Sequence, residues 1–334
     1  MNTLKTACVA WDAEEIPEWV PPQIEAAGVK FEALQCQTAS EALLFARNAD
    51  IIWVMGGSNL ITREIIPQLD SCGAIIRSGS GTDNIPVDLA TEYGIIVANT
   101  PDATTVPVAE HTIGLLLSVV RRIPIHDRLV RQGEWNDSKS TPRFLLQGST
   151  VGLIGFGRIA RCVADRLAPF GVKLILVYDP FVDAEAIVKG NVKNVDLPQL
   201  LSESDFISIH TPLLEETHHL ISEVEISQMK STCVVINTSR GSVVDNKALA
   251  NALREGRVWG AGLDVLESEP PDEDDLLLQL DNVVLTSHIG ARHEGHLDGF
   301  WQLSVETIID LSRGKWPVSY VNPGVKPRWK LTER

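Results

Sequence analysis

Cysteine is scarce and scattered in this chain. The five that occur (Cys8, Cys36, Cys72, Cys162 and Cys233) are odd in number, far apart and form no CxxC pair. That argues against a disulfide framework or a thiolate metal cluster, and several lie in apolar strand-like runs, as buried free thiols do. Positive charge is also short: 29 Lys and Arg stand against 44 Asp and Glu, a net charge of −15. A phosphate-backbone partner needs a basic footprint, so nucleic acid is not an expected partner. No apolar run approaches the ~18 residues that span a bilayer, and the greasiest stretch, 113–120, stops at Arg121 and Arg122. The first residues hold no basic region, apolar run and cleavage site in succession, so no secretory signal is visible. Repeats and low-complexity tracts are missing too. What these absences leave is a cytoplasmic protein with no metal, no membrane and no nucleic acid.

What is present is ordinary globular material: 334 residues, 44% hydrophobic and 22% charged, enough for two domains. Over the first hundred residues, short apolar strands at 7–11, 31–36, 51–55, 74–77 and 95–98 alternate with helical stretches at 18–27, 40–48, 63–69 and 87–93. Such alternation predicts βα units on a parallel sheet. A long amphipathic segment at 106–132 follows, acidic at Glu110 and basic at Arg121, Arg122, Arg128 and Arg131, with a break expected at Pro124. A polar connection at 135–148 leads to a second α/β series with strands at 151–154, 173–178, 206–210, 233–237, 259–264 and 283–285. The last helical stretch, 294–312, is too isolated to stand alone and is expected to return to the first domain. The acidic run 272–275 reads as a solvated loop.

The second series opens with a nucleotide signature. An apolar strand runs into Gly155-Phe156-Gly157-Arg158-Ile159-Ala160 and then a helix. Gly155 permits the tight turn, Gly157 lets backbone approach a pyrophosphate, and Ala160 fills the small third position for helix packing. The helix N-terminus adds free N–H groups and a positive dipole end. The next strand ends in Asp179, with 18 residues between it and Ala160. A carboxylate there accepts hydrogen bonds from ribose hydroxyls and repels a 2′-phosphate, and no arginine follows at once, which favours NAD over NADP.

Three later strand ends carry polar residues where ligands sit in open α/β sheets. Asn237-Thr238-Ser239-Arg240-Gly241 follows one strand, Asp264 ends another and leads to Glu267-Ser268-Glu269-Pro270-Pro271, and Ser287-His288-Ile289-Gly290 follows a third. Reduction of a 2-oxo acid needs a fixed cation for the carboxylate and a proton donor at the carbonyl oxygen. The planar fork of arginine suits the first. Histidine, with its pKa near working pH, suits the second, and a carboxylate on its other nitrogen fixes the tautomer. Taken singly, Arg240 could bridge two loops, Glu269 could be an exposed loop acid and His288 a satisfied core histidine. Their joint occurrence decides for catalysis.

At this spacing the chain resembles the D-isomer-specific 2-hydroxyacid dehydrogenase family, which includes glyoxylate/hydroxypyruvate reductases, D-lactate dehydrogenases and phosphoglycerate dehydrogenases. The resemblance rests on NTSRGSVVD around Arg240, on AGLDVLESEPP with Asp264 and Glu269 five residues apart, and on His288 nineteen residues further on. Ser78 to Asn84, Asn99-Thr100-Pro101, Val108-Ala109-Glu110, His210-Thr211-Pro212-Leu213 and Val321-Asn322-Pro323 extend it over nearly the whole chain. It implies an α/β protein of two doubly wound parallel-sheet domains with a cleft between them. One is a flavodoxin-like, discontinuous substrate-binding domain over 1–101 and 293–334, the other a Rossmann NAD-binding domain over 102–292, hinged near 100 and 292.

By that resemblance Arg240 clamps the substrate, His288 is general acid/base and Glu269 orients it. The turn Gly79-Ser80-Gly81 presents N–H groups to the carboxylate, and Met55 borders the substrate side chain. NAD is lined by Thr105, Gly155, Phe156, Gly157, Arg158, Ile159, Asp179, His210, Thr211, Pro212, Thr238, Asp264, His288 and Gly290. A small 2-oxo or 2-hydroxy acid is the expected substrate and a homodimer, through the helix after residue 105, the expected assembly. The expected length leaves no room for the regulatory module of many phosphoglycerate dehydrogenases.

The stretch Gly290 to His296 is unfamiliar for the family and borders the site, so it bears on substrate identity. A co-repressor of the C-terminal-binding-protein type shares the nucleotide and catalytic motifs but has a tryptophan three residues beyond the histidine, where this chain has Ala291. Phosphite oxidation on the same scaffold is a further alternative. Elsewhere, His293 and His296 with Arg292 read as a solvated helix start, His218 and His219 as surface, Trp301 as core, and Trp135 as a subunit contact.

Overall fold

The computed structural model describes residues 3–135, 144–182 and 190–334. By internal contacts the chain divides into two compact units, Met1–Thr104 with His293–Arg334, and Thr105–Arg292. The polar connection expected at 135–148 lies outside the described residues over 136–143.

In the first unit, strands β1 (Lys5–Cys8), β2 (Lys30–Ala33), β3 (Ile51–Met55), β4 (Ala74–Ser78) and β5 (Ile96–Asn99) form a sheet in the order β2-β1-β3-β4-β5. Every pair is parallel, the flavodoxin-like arrangement. Helices α1 (Val20–Ala26), α2 (Ala39–Ala46) and α3 (Val87–Glu92) connect them. Strand β3 is apolar throughout and β4 and β5 are apolar up to Arg77 and Asn99, because both faces are covered and nearly every residue is buried. One expected helix is absent: 63–69 yields only a 3-10 turn, Ile66–Gln68, because Pro67 has no N–H to donate to an α-helical ladder.

The returning helix, His296–Ser312, packs on α1 and β4. Its Trp301 packs tilted against Trp11 and edge-on against Trp53, with centroids 5.6 and 5.1 Å away. The last residues then staple the unit. Asn322 accepts the Val97 N–H and donates to the Ile95 carbonyl. Arg328 donates to the carbonyls of Leu69, Asp70, Cys72 and Tyr93. Cys8, Cys72 and Cys233 are buried thiols that burial pushes up to about 12. Cys162 departs from the expectation of burial: it is half-exposed, and its sulfur accepts from Arg166 at 2.6 Å.

In the second unit, β6 (Thr150–Ile154), β7 (Leu174–Tyr178), β8 (Val192–Asn194), β9 (Phe206–Ile209), β10 (Val234–Asn237), β11 (Gly260–Leu263) and β12 (Val283–Leu285) run in the order β12-β11-β10-β9-β6-β7-β8. All pairs are parallel. The edge strand β8 is three residues long and carries no pattern that would announce it. Helix α4 (Asp102–Val120) opens the series and α5 (Ile123–Arg131) follows it. The break falls at Arg122, in the left-handed region at φ 55°, and Pro124 sits in the first turn of α5, where it costs no hydrogen bond.

By length and composition α4 could cross a membrane, a property the residue run did not suggest. Its apolar side chains Ala109, Ile113, Leu115, Leu116, Val119 and Val120 are buried in the core of this unit. The close approach has a cause in β11. A Cβ on Gly260 would meet Val119 at 2.9 Å, and one on Gly262 would meet Leu115 and Val119 at 3.2 and 3.3 Å. Glycines two apart on a strand flatten one face, and α4 lies on it.

Candidate active site

The carboxyl ends of the strands in the second unit carry the polar residues. After β6, Gly155 adopts φ +87°, and a Cβ there would meet the His210 carbonyl at 2.8 Å. Gly157 then leads into helix α6 (Arg158–Leu167), which has no side-chain cap, and nothing lies within 4 Å of where a Cβ on Gly157 would sit. Ala160 is fully buried, as its packing position requires. Phe156 is buried under the Arg161 guanidinium, 4.7 Å from the ring centroid, while Arg158 and Ile159 are less covered. Asp179 receives the Phe156 N–H on one oxygen at 2.8 Å and the Phe181 N–H on the other at 2.9 Å. An uncapped helix N-terminus behind an open glycine, beside a fixed carboxylate, fits a dinucleotide.

His210, after β9, places Nε2 2.9 Å from the Ser208 hydroxyl, and burial holds its ring down to about 4, so it is neutral at neutral pH. Beside it, Thr211 donates to the Pro212 carbonyl. Thr105 is half-buried on α4.

Past β10, Asn237 shapes the arginine loop. Its Oδ1 accepts from the amide and hydroxyl of Ser239, and its Nδ2 donates to the Arg240 carbonyl at 2.9 Å. Arg240 itself is half-buried and donates to the Ser239 carbonyl at 2.7 Å. The next residue must be glycine: a Cβ on Gly241 would lie 1.9 Å from the Leu266 carbonyl carbon. That contact lays the arginine loop against the loop that carries Glu269.

Glu269 Oε2 is 2.7 Å from His288 Nδ1, and Oε1 accepts the Leu266 N–H at 3.1 Å. Burial acts to raise the Glu269 carboxyl. The hydrogen bond and charge of His288, the Leu266 amide and the Arg240 cation together outweigh it, holding the group below its ordinary 4.5. With Nδ1 engaged, Nε2 is the ring nitrogen left for other chemistry. His288 has φ 54°, a left-handed conformation that costs a non-glycine residue of order 1 kcal/mol or more.

Asp264 holds that conformation. Its carbonyl accepts the His288 N–H at 2.8 Å, and its carboxylate accepts the Ile289 and Gly290 N–H groups at 2.9 and 2.8 Å. A residue expected along the cofactor is thus 3% exposed and committed on both oxygens within the protein. Burial acts to raise its carboxyl, but bonds from His111, Thr286, Ile289 and Gly290 hold it below 3.8. His111 and Thr286 were not among the residues singled out from the sequence. His111 sits beside Val108-Ala109-Glu110, and the one local sign was the pair of alternate glycines in β11 that lets α4 approach.

The first unit contributes a different picture. Gly79 has φ +118°, and its N–H donates to the Thr100 hydroxyl at 2.7 Å. Of the turn Gly79-Ser80-Gly81 expected to present its amides, Gly79 directs its own to Thr100. Beneath the turn lies the buried Arg77, whose guanidinium a Cβ on Gly56 or Gly79 would strike. Met55 ends β3, half-buried. Trp301 is core, 3% exposed. His293 and His296 are exposed or half-exposed and bond backbone carbonyls. His218 stacks on His219, which pairs with Glu267 at 2.5 Å. Among the described residues no group of three His, Cys, Asp or Glu could hold a metal ion.

Residues 113–290 match the NAD binding domain of the D-isomer specific 2-hydroxyacid dehydrogenases. The chain is 40% identical over 295 residues to a D-3-phosphoglycerate dehydrogenase of Methanocaldococcus jannaschii, covering 88% of this chain and 56% of that one. It is 39% identical to a glyoxylate reductase of Thermococcus litoralis, over 93% of this chain and 91% of the relative. Its structure is similar to that of D-lactate dehydrogenase from Aquifex aeolicus complexed with NAD and lactic acid, with a TM-score of 0.79, 29% identity and coverage of 93% and 96%. The chain belongs to the D-isomer-specific 2-hydroxyacid dehydrogenase family. It is an NAD-dependent oxidoreductase of 2-hydroxy acids.

Proposed function

We propose that the protein interconverts a small 2-oxo acid, of the glyoxylate or hydroxypyruvate type, and its D-2-hydroxy acid. The observation that carries this reading is the His288–Glu269 pair at 2.7 Å with Arg240 close enough to act on the same carboxylate. Bound NADH supplies hydride to C2 of the substrate. Arg240 binds the substrate carboxylate through its fork and polarises the carbonyl. His288 holds a proton at Nε2, toward the carbonyl oxygen, and takes it back in the reverse direction. Glu269 on Nδ1 fixes the tautomer and the orientation of the ring, leaving Nε2 for the substrate.

Gly155, Phe156, Gly157, Arg158 and Ile159 cradle the pyrophosphate, and Asp179 holds the ribose. Thr105, His210, Thr211, Pro212, Thr238 and Gly290 line the rest. The first unit serves as the substrate-binding domain, with Ser80, Gly81 and Met55 as its contacts. The test is NADH consumption with glyoxylate, hydroxypyruvate, pyruvate, a branched 2-oxo acid and phenylpyruvate. Turnover of a small acid is expected; no turnover of any, with NADH still bound, would overturn the reading.

Two substitutions probe its parts. For Glu269→Gln, kcat/KM is expected to fall by ~10–10²-fold, because an amide no longer fixes the tautomer and orientation of the ring that the carboxylate holds at 2.7 Å. A kcat/KM profile that superimposes on wild type would remove the orienting role. In the native protein the Glu269 carboxyl is held below 4.5, so its ionised form persists as pH falls past that point and is lost only through the lower value. For Asp179→Ala, NADH binds less tightly and its advantage over NADPH narrows, as measured by Kd for each; unchanged preference would refute the ribose contact.

We further infer a cytoplasmic homodimer. Ile123, Val130, Trp135 and Leu145 are exposed apolar residues on and near α5. Beside α5, a cavity of about 240 Å³ is lined by Val119, Pro124, Ile125, Val258, Trp259 and Val283. A second copy would cover such a face. Sedimentation velocity is expected to give twice the chain mass, and a concentration-independent monomer would overturn the inference.

A further inference from the structure

Helix α4 carries two consecutive polar residues, His111 and Thr112, into an otherwise apolar interface. What they meet is a single row across the sheet. The register pairs Asn237 with Leu263 and Leu263 with Leu285, so Thr238, Asp264 and Thr286 stand side by side, each one residue beyond its strand. Thr112 Oγ1 lies 2.9 Å from Thr238 Oγ1. His111 Nε2 lies 3.0 Å from Thr286 Oγ1 and 3.3 Å from Asp264 Oδ1. One turn of one helix therefore grips three adjacent strand ends.

The tautomer follows from the partners. Thr286 donates its hydroxyl proton to Asp264 Oδ1 at 2.5 Å, so the threonine oxygen can only accept from His111. Nε2 must carry a proton that points at Thr286 and Asp264. The ring also lies beside the His288 turn: a Cβ added at Gly290 would lie 3.5 Å from His111 Cδ2. Asp264 is buried and holds the His288, Ile289 and Gly290 amides, so a donor withdrawn from its carboxylate leaves a buried charge short of a partner.

We propose that His111 is a positioning residue for the reaction, holding His288 in its left-handed conformation through Asp264 and Thr286. The proposal rests on His288 being the acid/base of this site. The displacement it prevents matters because a shift of about 1 Å in a reacting group can cost ~10²-fold in rate. Thr112, 2.9 Å from Thr238, ties the same helix to the strand end that precedes Arg240.

His111→Phe keeps the ring and loses the donor; His111→Gln places an amide N–H where Nε2 stood. For His111→Phe, kcat is expected to fall by ~10–10²-fold, with the Kd for NADH, read by fluorescence, within about threefold of wild type. His111→Gln recovers most of that loss at a similar Tm. A His111→Phe turnover within twofold of wild type, or equal damage in the two variants, would overturn the proposal. If His111→Phe fails to fold, Thr286→Val decides: a comparable fall in kcat with NADH affinity kept supports the proposal, and wild-type turnover ends it. His288→Ala separates the premises, because full activity there condemns the acid/base assignment, whereas a dead His288→Ala beside an active His111→Phe condemns only this inference.

Discussion

Replacing His288 with alanine is expected to lower turnover by ~10²–10⁴ while NADH binds nearly as before. The basis is geometric. Nδ1 is held at 2.7 Å by Glu269, the backbone is locked at φ 54° by Asp264, and only Nε2 is left for a substrate. Both restraints are costly to build. A left-handed non-glycine residue and a half-buried carboxylate persist where the surroundings over-determine them. Removing the ring leaves the glycine turn at Gly155–Ile159 intact, so NADH affinity is expected to change little. Steady-state turnover with fluorescence titration of NADH separates the two effects. A variant within tenfold of wild type in kcat would mean that another group delivers the proton.

Changing Arg240 to lysine is expected to be nearly as damaging, although charge is conserved. A guanidinium presents parallel N–H groups to a carboxylate, and each charge-assisted bond lost is worth about 1.5–3 kcal/mol, or ~10–10²-fold. An ammonium is a point charge without that fork. The loop has no slack to compensate: Asn237 fixes both sides of it and Gly241 lies against Leu266. KM for the 2-oxo acid rises and kcat falls together, because the same cation binds the ground state and polarises the carbonyl. Wild-type values of both would remove the clamp. A second consequence is local: the cation that helps hold the Glu269 carboxyl down stays in place in the lysine variant. Loss of activity in Arg240→Lys therefore reports the fork and not the field.

Much of this was readable along the chain because it depends on local order. Strand, Gly155, Gly157, Ala160 and Asp179 occur at spacings that one βαβ unit imposes, and the parallel sheets announce themselves as apolar runs between helical stretches. Arg240, Glu269 and His288 were visible as chemistry at strand ends and as a family pattern. Proline chemistry was read less well: Pro67 reduced an expected helix to a 3-10 turn, and the break near Pro124 falls two residues earlier, at Arg122. The first is a change of helix type, set by a missing backbone donor, and the second a shifted boundary, set by which residue takes the left-handed turn.

The sequence by itself determined the alternation of elements, the nucleotide turn and the residue types that reduction of a 2-oxo acid needs. Only the tertiary structure decided which of them work on which. That Gly79 spends its amide on Thr100, that Asp264 is a buried brace for the His288 turn, and that His111 reaches that brace from 153 residues away in sequence are facts of register and packing. No local rule predicts that β10, β11 and β12 end level with one another. A hydrogen bond between residues far apart in sequence is decided by where the sheet and helix bring them, and here two glycines on one strand let the helix come close enough.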